Sequence, residues 1–210
     1  MRAKKHILIS GGESQVAKAA AQKFRQEGWA VTGIGASKQG APDSHISCDL
    51  TDRKALVAEI DRLEKAGTHF DAVFVIIEKE LDTGFEQTDI AQWEDLLKTW
   101  LGGASNLCKA TTPYMIGRGG GSIVILSPDY KNSGGDNIMN AVASHTLHGL
   151  AKSFGTEVAE VGVRVNVLWP GLPFDCEAIA NMAHYLAGVD AYTAASVLSI
   201  APLDKEAARG

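Results

Sequence analysis

Apolar, largely β-branched runs alternate with helical patterns along this chain, and that alternation constrains the fold more than any other feature. The runs are HILIS (6–10), WAVTGIG (29–35), HISCD (45–49), DAVFVII (71–77), GSIVILS (121–127), VRVNVLW (163–169) and VLSI (197–200). Between them lie an Ala-rich helix over 15–28 and a second over 52–67, with Leu56, Ile60 and Leu63 on one face and Thr51 placed as its N-cap. A long helix from Ile90 to Tyr114 follows, with Trp93, Leu96, Leu97, Trp100 and Leu101 on one face. Further helices are expected from Asp136 to Glu160 and near 176–187. Strands that are apolar at nearly every position must be covered on both faces, which means a parallel sheet between two helical layers.

Right-handed crossovers turn that pattern into an α/β, doubly wound, seven-stranded sheet of Rossmann type. The last run completes the sheet, so residues 1–210 are read as a single domain without linker or internal repeat. A length of 210 residues allows a full core, and 45% hydrophobic and 21% charged residues fit a compact fold. The net charge of −5 argues against nucleic acid or an anionic membrane surface as partner, since both are bound through surplus Lys and Arg. The basic start MRAKK precedes only HILI before SGG, too short for a signal peptide, and the longest apolar run, AVFVII, is of strand length. A cytoplasmic protein is expected. Cys48, Cys108 and Cys176 are odd in number and far apart, fitting reduced packing thiols rather than disulfides or metal ligands.

Six stretches, in order, resemble the short-chain dehydrogenase/reductase family. ISGGESQVAKAAAQKFRQEGWAV is similar to its opening strand, glycine turn and first helix. CDLTD (48–52) resembles the end of its third strand, where Asp49, with Leu50 beside it, would contact an adenine. FDAVFVIIEK matches the fourth strand, GGGSIVILSP the fifth, AVASH the Tyr-x-Ala-Ser-Lys motif, and VRVNVLWPG the sixth strand and its Pro-Gly turn. The resemblance implies a nicotinamide dinucleotide cofactor and hydride transfer assisted by Ser, Tyr, Lys and Asn.

The same alignment exposes departures. The family's Thr-Gly-x-x-x-Gly-x-Gly turn reads Ser10, Gly11, Gly12, Glu13, Ser14, Gln15, Val16, Ala17, so only the first glycine is kept. The missing glycines normally let backbone approach the pyrophosphate, and Glu13 adds an anion where a helix dipole should attract phosphate. The turn then reads as a strand-to-helix connection capped by Ser14. Only KQGAPDS lies between Lys38 and Ser44, and the position of an NAD-binding acid is Gly35, whereas Ser37 and Lys38 suit a 2′-phosphate. The expected cofactor is therefore none, or NADP held weakly through Gly11, Ser14, Ser37, Lys38, Asp49 and Leu50. Asp49 reads equally as a turn residue.

All four catalytic positions differ. Pro128 falls at the serine with Ser127 one residue early, Ala141 at the tyrosine, His145 at the lysine and Trp100 at the asparagine. Alanine cannot donate a proton, and general acid–base assistance typically contributes roughly 10²–10⁴-fold. The Asn-Asn-Ala-Gly motif is replaced by Val75, Ile76, Ile77 and Glu78, which read as strand core. Only LPFDC separates the Pro170-Gly171 turn from EAIANMAHYLAG, so the substrate lid is missing.

Helix 136–160 carries Ala141, His145, His148 and Lys152 along one stripe. His145 is read as a packing residue; a metal would need Glu78 or Asp129 as a further ligand, and none is expected. The leading reading is a non-catalytic subunit that pairs with itself or with an active paralogue. The pairing surface would use Trp93 and Trp100 as anchors and the small residues Gly102, Gly103, Ala104 and Ser105 for close approach. The small residues of helix 136–160 would suit the same kind of contact. One rival is an atypical NAD(P)-dependent oxidoreductase using Ser127, Tyr130 and His145. Another is a small-molecule-binding regulatory module.

Overall fold

The computed structural model describes residues 4–36, 43–128, 138–171, 175–188, 191 and 193–200. The chain runs β1 (His6–Ser10), α1 (Gln15–Gln26), β2 (Ala30–Gly35), β3 (Ser44–Ser47), α2 (Arg53–Lys65), β4 (Ala72–Val75), α3 (Ile90–Leu97), α4 (Gly103–Gly117), β5 (Gly121–Leu126), α5 (Ile138–Ala159), β6 (Val163–Pro170), α6 (Cys176–Ala187) and β7 (Ser196–Ile200). The strands form one seven-stranded sheet in the order β3-β2-β1-β4-β5-β6-β7, parallel throughout. The chain builds outward from β1 to β3, returns, and continues on the other side from β4. The strand order therefore reverses between β1 and β4, the place where doubly wound sheets open a ligand crevice.

Period-2 alternation sorts the strand side chains into two cores. Leu8, Ile34, Val73, Val75, Ile123 and Val165 pack with α2, α4 and α5, while Ile7, Ile9, Val31, Phe74, Val124 and Leu168 pack with α1 and α6. Fully burying one such side chain is worth about 1.5–3 kcal/mol, so the register of the central strands is firmly set.

Three local expectations need correction. Asp52, not Thr51, caps α2, its Oδ1 accepting the Ala55 amide at 3.0 Å; the Thr51 amide is taken by Asp49 Oδ1 at 2.8 Å. The long helix is interrupted by one π-helical turn, Lys98–Gly102, between α3 and α4. That turn carries the fully buried Trp100, whose indole N–H reaches the Lys79 carbonyl at 2.7 Å. β4 spans Ala72–Val75 rather than 71–77, because the Ile76 amide is taken by the Ser10 hydroxyl instead of a strand partner. Cys48 and Cys108 are buried free thiols, and burial pushes the Cys108 thiol up to about 12. Among the described residues no helix is long and apolar enough to cross a membrane.

Candidate functional site

The crevice opens at the carboxyl ends of β1, β4 and β5. After β1 the chain turns at Gly11, which has φ +67°; a Cβ there would lie 2.7 Å from Ile76 Cγ2 and 3.0 Å from the Ile76 carbonyl oxygen. Only glycine combines that backbone conformation with that approach. The buried Ser10 hydroxyl completes the join, donating to the Ile76 carbonyl and accepting from the Ile76 amide, each at 2.8 Å. Ser14 is the α1 N-cap, accepting the Ala17 amide at 3.0 Å, as the sequence suggests.

Two cavities adjoin this turn. The larger, about 440 Å³, is lined by Ser14, Gln15, Ile76, Glu78, Pro128 and Cys176 among others; the smaller, about 200 Å³, by Gly11, Gly35, Asp49, Leu50, Glu78 and Thr99 among others. Gly11, Asp49 and Leu50 thus meet around one hollow with Ser14 next door. Ser37 and Lys38 lie outside the described residues. Asp49 holds its own turn through the Thr51 amide, in line with the structural alternative for it.

Glu78 is not strand core. Val75, Ile76 and Ile77 are buried, but Glu78 opens into both cavities. Burial pushes its carboxyl above the ordinary carboxylate range, and the Glu13 charge adds to this. Hydrogen bonding from the Ser14 hydroxyl and the Glu13 backbone, together with the Lys18 charge, pulls the other way without prevailing. Asn140 of α5 fixes the segment after Glu78, since its side-chain amide pairs with both the amide and the carbonyl of Leu81 at 2.9 Å. Sequence reading missed Asn140, and the one clue was a polar residue at an inward helix position.

At the β5 end, Leu126 and Pro128 face the larger cavity while Ser127 points to the other face of the sheet. The Ser127 hydroxyl is fully buried, 2.7 Å from Ser144 Oγ, 3.0 Å from the Ser144 carbonyl and 2.9 Å from His148 Nε2. Ser144 Oγ donates to the Pro128 carbonyl at 2.7 Å. This network spends its polar groups on tying β5 to α5. His145 is exposed on α5, with Nδ1 2.7 Å from the Ala141 carbonyl and its ring packed against His148 and Trp169. Its expected pairing with Ser127 is corrected, since Ser127 meets His148 instead. The rings of His145, His148 and Trp169 stand 4.7–5.6 Å apart, forming an aromatic rim. The clue to His148 was its i, i+3 spacing from His145. Tyr130 and Asp129 lie outside the described residues. Among the described residues no group of three or more His, Cys, Asp or Glu could hold a metal ion.

The expected pairing surface also shifts. Trp100 is fully buried, so it is not an anchor, and a Cβ on Gly103 would meet Leu50 at 3.4 Å, so this glycine serves packing inside the chain. An apolar groove of about 570 Å³ lies instead between α3 and α5, lined by Phe85, Ile90, Trp93, Ile138, Met139 and Val142 among others. Phe85 is 63% exposed and Ile90 70%.

Residues 11–198 match the family described as "Enoyl-(Acyl carrier protein) reductase". The chain is 31% identical over 172 residues to the Bos taurus protein named dehydrogenase/reductase SDR family member 4, covering 80% of this chain and 56% of that protein. It is 27% identical over 192 residues to the Thermotoga maritima 3-oxoacyl-[acyl-carrier-protein] reductase FabG, covering 80% and 73% respectively. Thermoplasma acidophilum aldohexose dehydrogenase in its ligand-free form superposes with a TM-score of 0.86 at 19% identity, covering 94% of this chain and 92% of that one.

Proposed function

The chain belongs to the short-chain dehydrogenase/reductase family, and from that premise we propose that it has given up the family's ordinary hydride transfer and serves as a non-catalytic subunit. One observation carries this reading. Where the family aligns a proton donor beside a lysine, the corresponding helix presents Ala141 and an exposed His145 bonded back to the Ala141 carbonyl. The serine that could have compensated, Ser127, is sealed within the β5–α5 join. The oxidoreductase alternative through Ser127, Tyr130 and His145 has correspondingly less support.

The residues around the α1 turn do not fit NADP. Its diphosphate would need the helix N-terminus, and the donors there face Glu78 and the added charge of Glu13. The proposed partner is a second copy or an active relative, docked on the groove lined by Phe85, Ile90, Ile138 and Val142; exposed apolar patches of this kind mark interaction sites. In isothermal titration calorimetry the purified protein is expected to give no binding heat with NADPH or NADH below about 1 mM, roughly −4 kcal/mol of binding free energy. Micromolar binding of either, with turnover of any carbonyl substrate, would overturn the proposal.

A further inference from the structure

We infer that Glu78 determines which ligands this crevice admits: its carboxylate stands at the amino end of α1, where a dinucleotide would need to place its diphosphate, and excludes phosphorylated molecules. This rests on the reading just given and names the residue responsible. A first-helix N-terminus in a doubly wound sheet is an anion site because its unpaired amides and dipole point at the crevice. Here two joins bring a carboxylate to that place. The Ser10 hydroxyl holds both the amide and the carbonyl of Ile76 at 2.8 Å, and Gly11 lies so close to Ile76 that no Cβ fits between them. Two residues on, Glu78 lines the same cavity as Ser14, Gln15 and Val16 at the start of α1, where a phosphate would seek the helix amides. Asn140 on Leu81 and the Trp100 indole on the Lys79 carbonyl, at 2.7 Å, keep the following segment from swinging away.

The surroundings reinforce the exclusion. Lys79 lines the same cavity but is ion-paired with Asp95, so it offers little charge to an incoming phosphate. A second carboxylate, Glu80, also lines the cavity, and beside Ser14 and Gln15 its walls are the apolar Val16, Ile76, Ile77, Leu126 and Pro128. Such a hollow suits a neutral molecule. Like charges a few ångströms apart at a partly desolvated site repel strongly enough to cost a polyphosphate about tenfold or more in affinity.

The test compares wild type, Gln15→Gly, Glu78→Gln and the double variant, titrated with inorganic pyrophosphate, ADP and adenosine. Thermal melts check that each variant is folded, and Glu78→Ala is the second substitution at this position. Removing the carboxylate is expected to raise pyrophosphate and ADP affinity at least about tenfold in the Gln15→Gly background and to leave uncharged adenosine unchanged. Less than about a twofold gain in both backgrounds, or an equal gain for adenosine, would overturn the inference while the non-catalytic reading stands. Tight NADPH binding by wild type would instead remove both.

Discussion

At the β1–β4 rim of the crevice, the Ser10 hydroxyl bridges both backbone groups of Ile76 at 2.8 Å. At the β5–α5 rim, Ser127 lies 2.7 Å from Ser144 Oγ and 2.9 Å from His148 Nε2. Both joins are buried serine networks that fix neighbouring elements. Their effects on the cavity are opposite. The first delivers a charged side chain, Glu78, into the opening; the second withdraws every polar group it owns and leaves Leu126 and Pro128 on the wall. The difference arises from strand alternation. A hydroxyl one residue early on β5 necessarily points to the opposite face, so Ser127 cannot stand in for a serine at Pro128. Family resemblance survives at the level of backbone, and chemistry is decided by which way single side chains point.

The largest effect should come from Gly11→Ala. The new Cβ meets Ile76 at 2.7 Å in a φ of +67°, and strain plus overpacking at such a site costs about 2–4 kcal/mol. Urea unfolding measures it, and a loss under about 1 kcal/mol would show that the β1–β4 rim is less tightly held than its geometry implies. Ser127→Ala should cost less, about 1–2 kcal/mol, because Ser144 keeps its bond to the Pro128 carbonyl although its Oγ and carbonyl, with His148 Nε2, lose the Ser127 hydroxyl. The same rim predicts that wild type is not labelled by a fluorophosphonate. Labelling at Ser127 would mean that the network opens and that the oxidoreductase alternative should yield to a nucleophilic one.

The fold was readable because it depends on patterns that repeat. Seven apolar runs and their intervening helices specify the parallel sheet without reference to any single residue. The site was readable only in part. Gly11, Ser14, Asp49 and Leu50 are local to one turn or one strand end, and they line the two cavities of the crevice. Glu78 was misassigned because a carboxylate directly after Val75, Ile76 and Ile77 looks like the tail of a buried strand; nothing local says that Ser10, 66 residues away, ends the ladder there. The pairing of His148 with Ser127 was overlooked for a related reason. Ser127 lies 21 residues upstream, and pairing across that distance is set by how α5 packs on β5. Trp100 looked like a surface anchor until the π-helical turn placed it inside.

The smallest expected effect bears on the same contrast through pH. Burial and Glu13 raise the Glu78 carboxyl above its ordinary 4.5, so the folded state binds its proton more readily than the unfolded chain does. Stability from this group is therefore highest when it is protonated, and declines as pH climbs from about 4.5 through the raised value. Glu78→Gln removes that loss. The variant should be more stable than wild type at pH 7, by less than the change at Ser127, and the two should converge below pH 4.5. His6 and His184 work in the other direction. Burial lowers both from 6.5, so the unfolded chain binds more protons and stability rises with pH up to about that value. These histidines are common to wild type and variant, and the difference between the two unfolding curves cancels them. A difference that stays constant from pH 4 to 8 would mean that Glu78 is fully solvated, and the contrast between a charged rim and a sealed one would lose its first member.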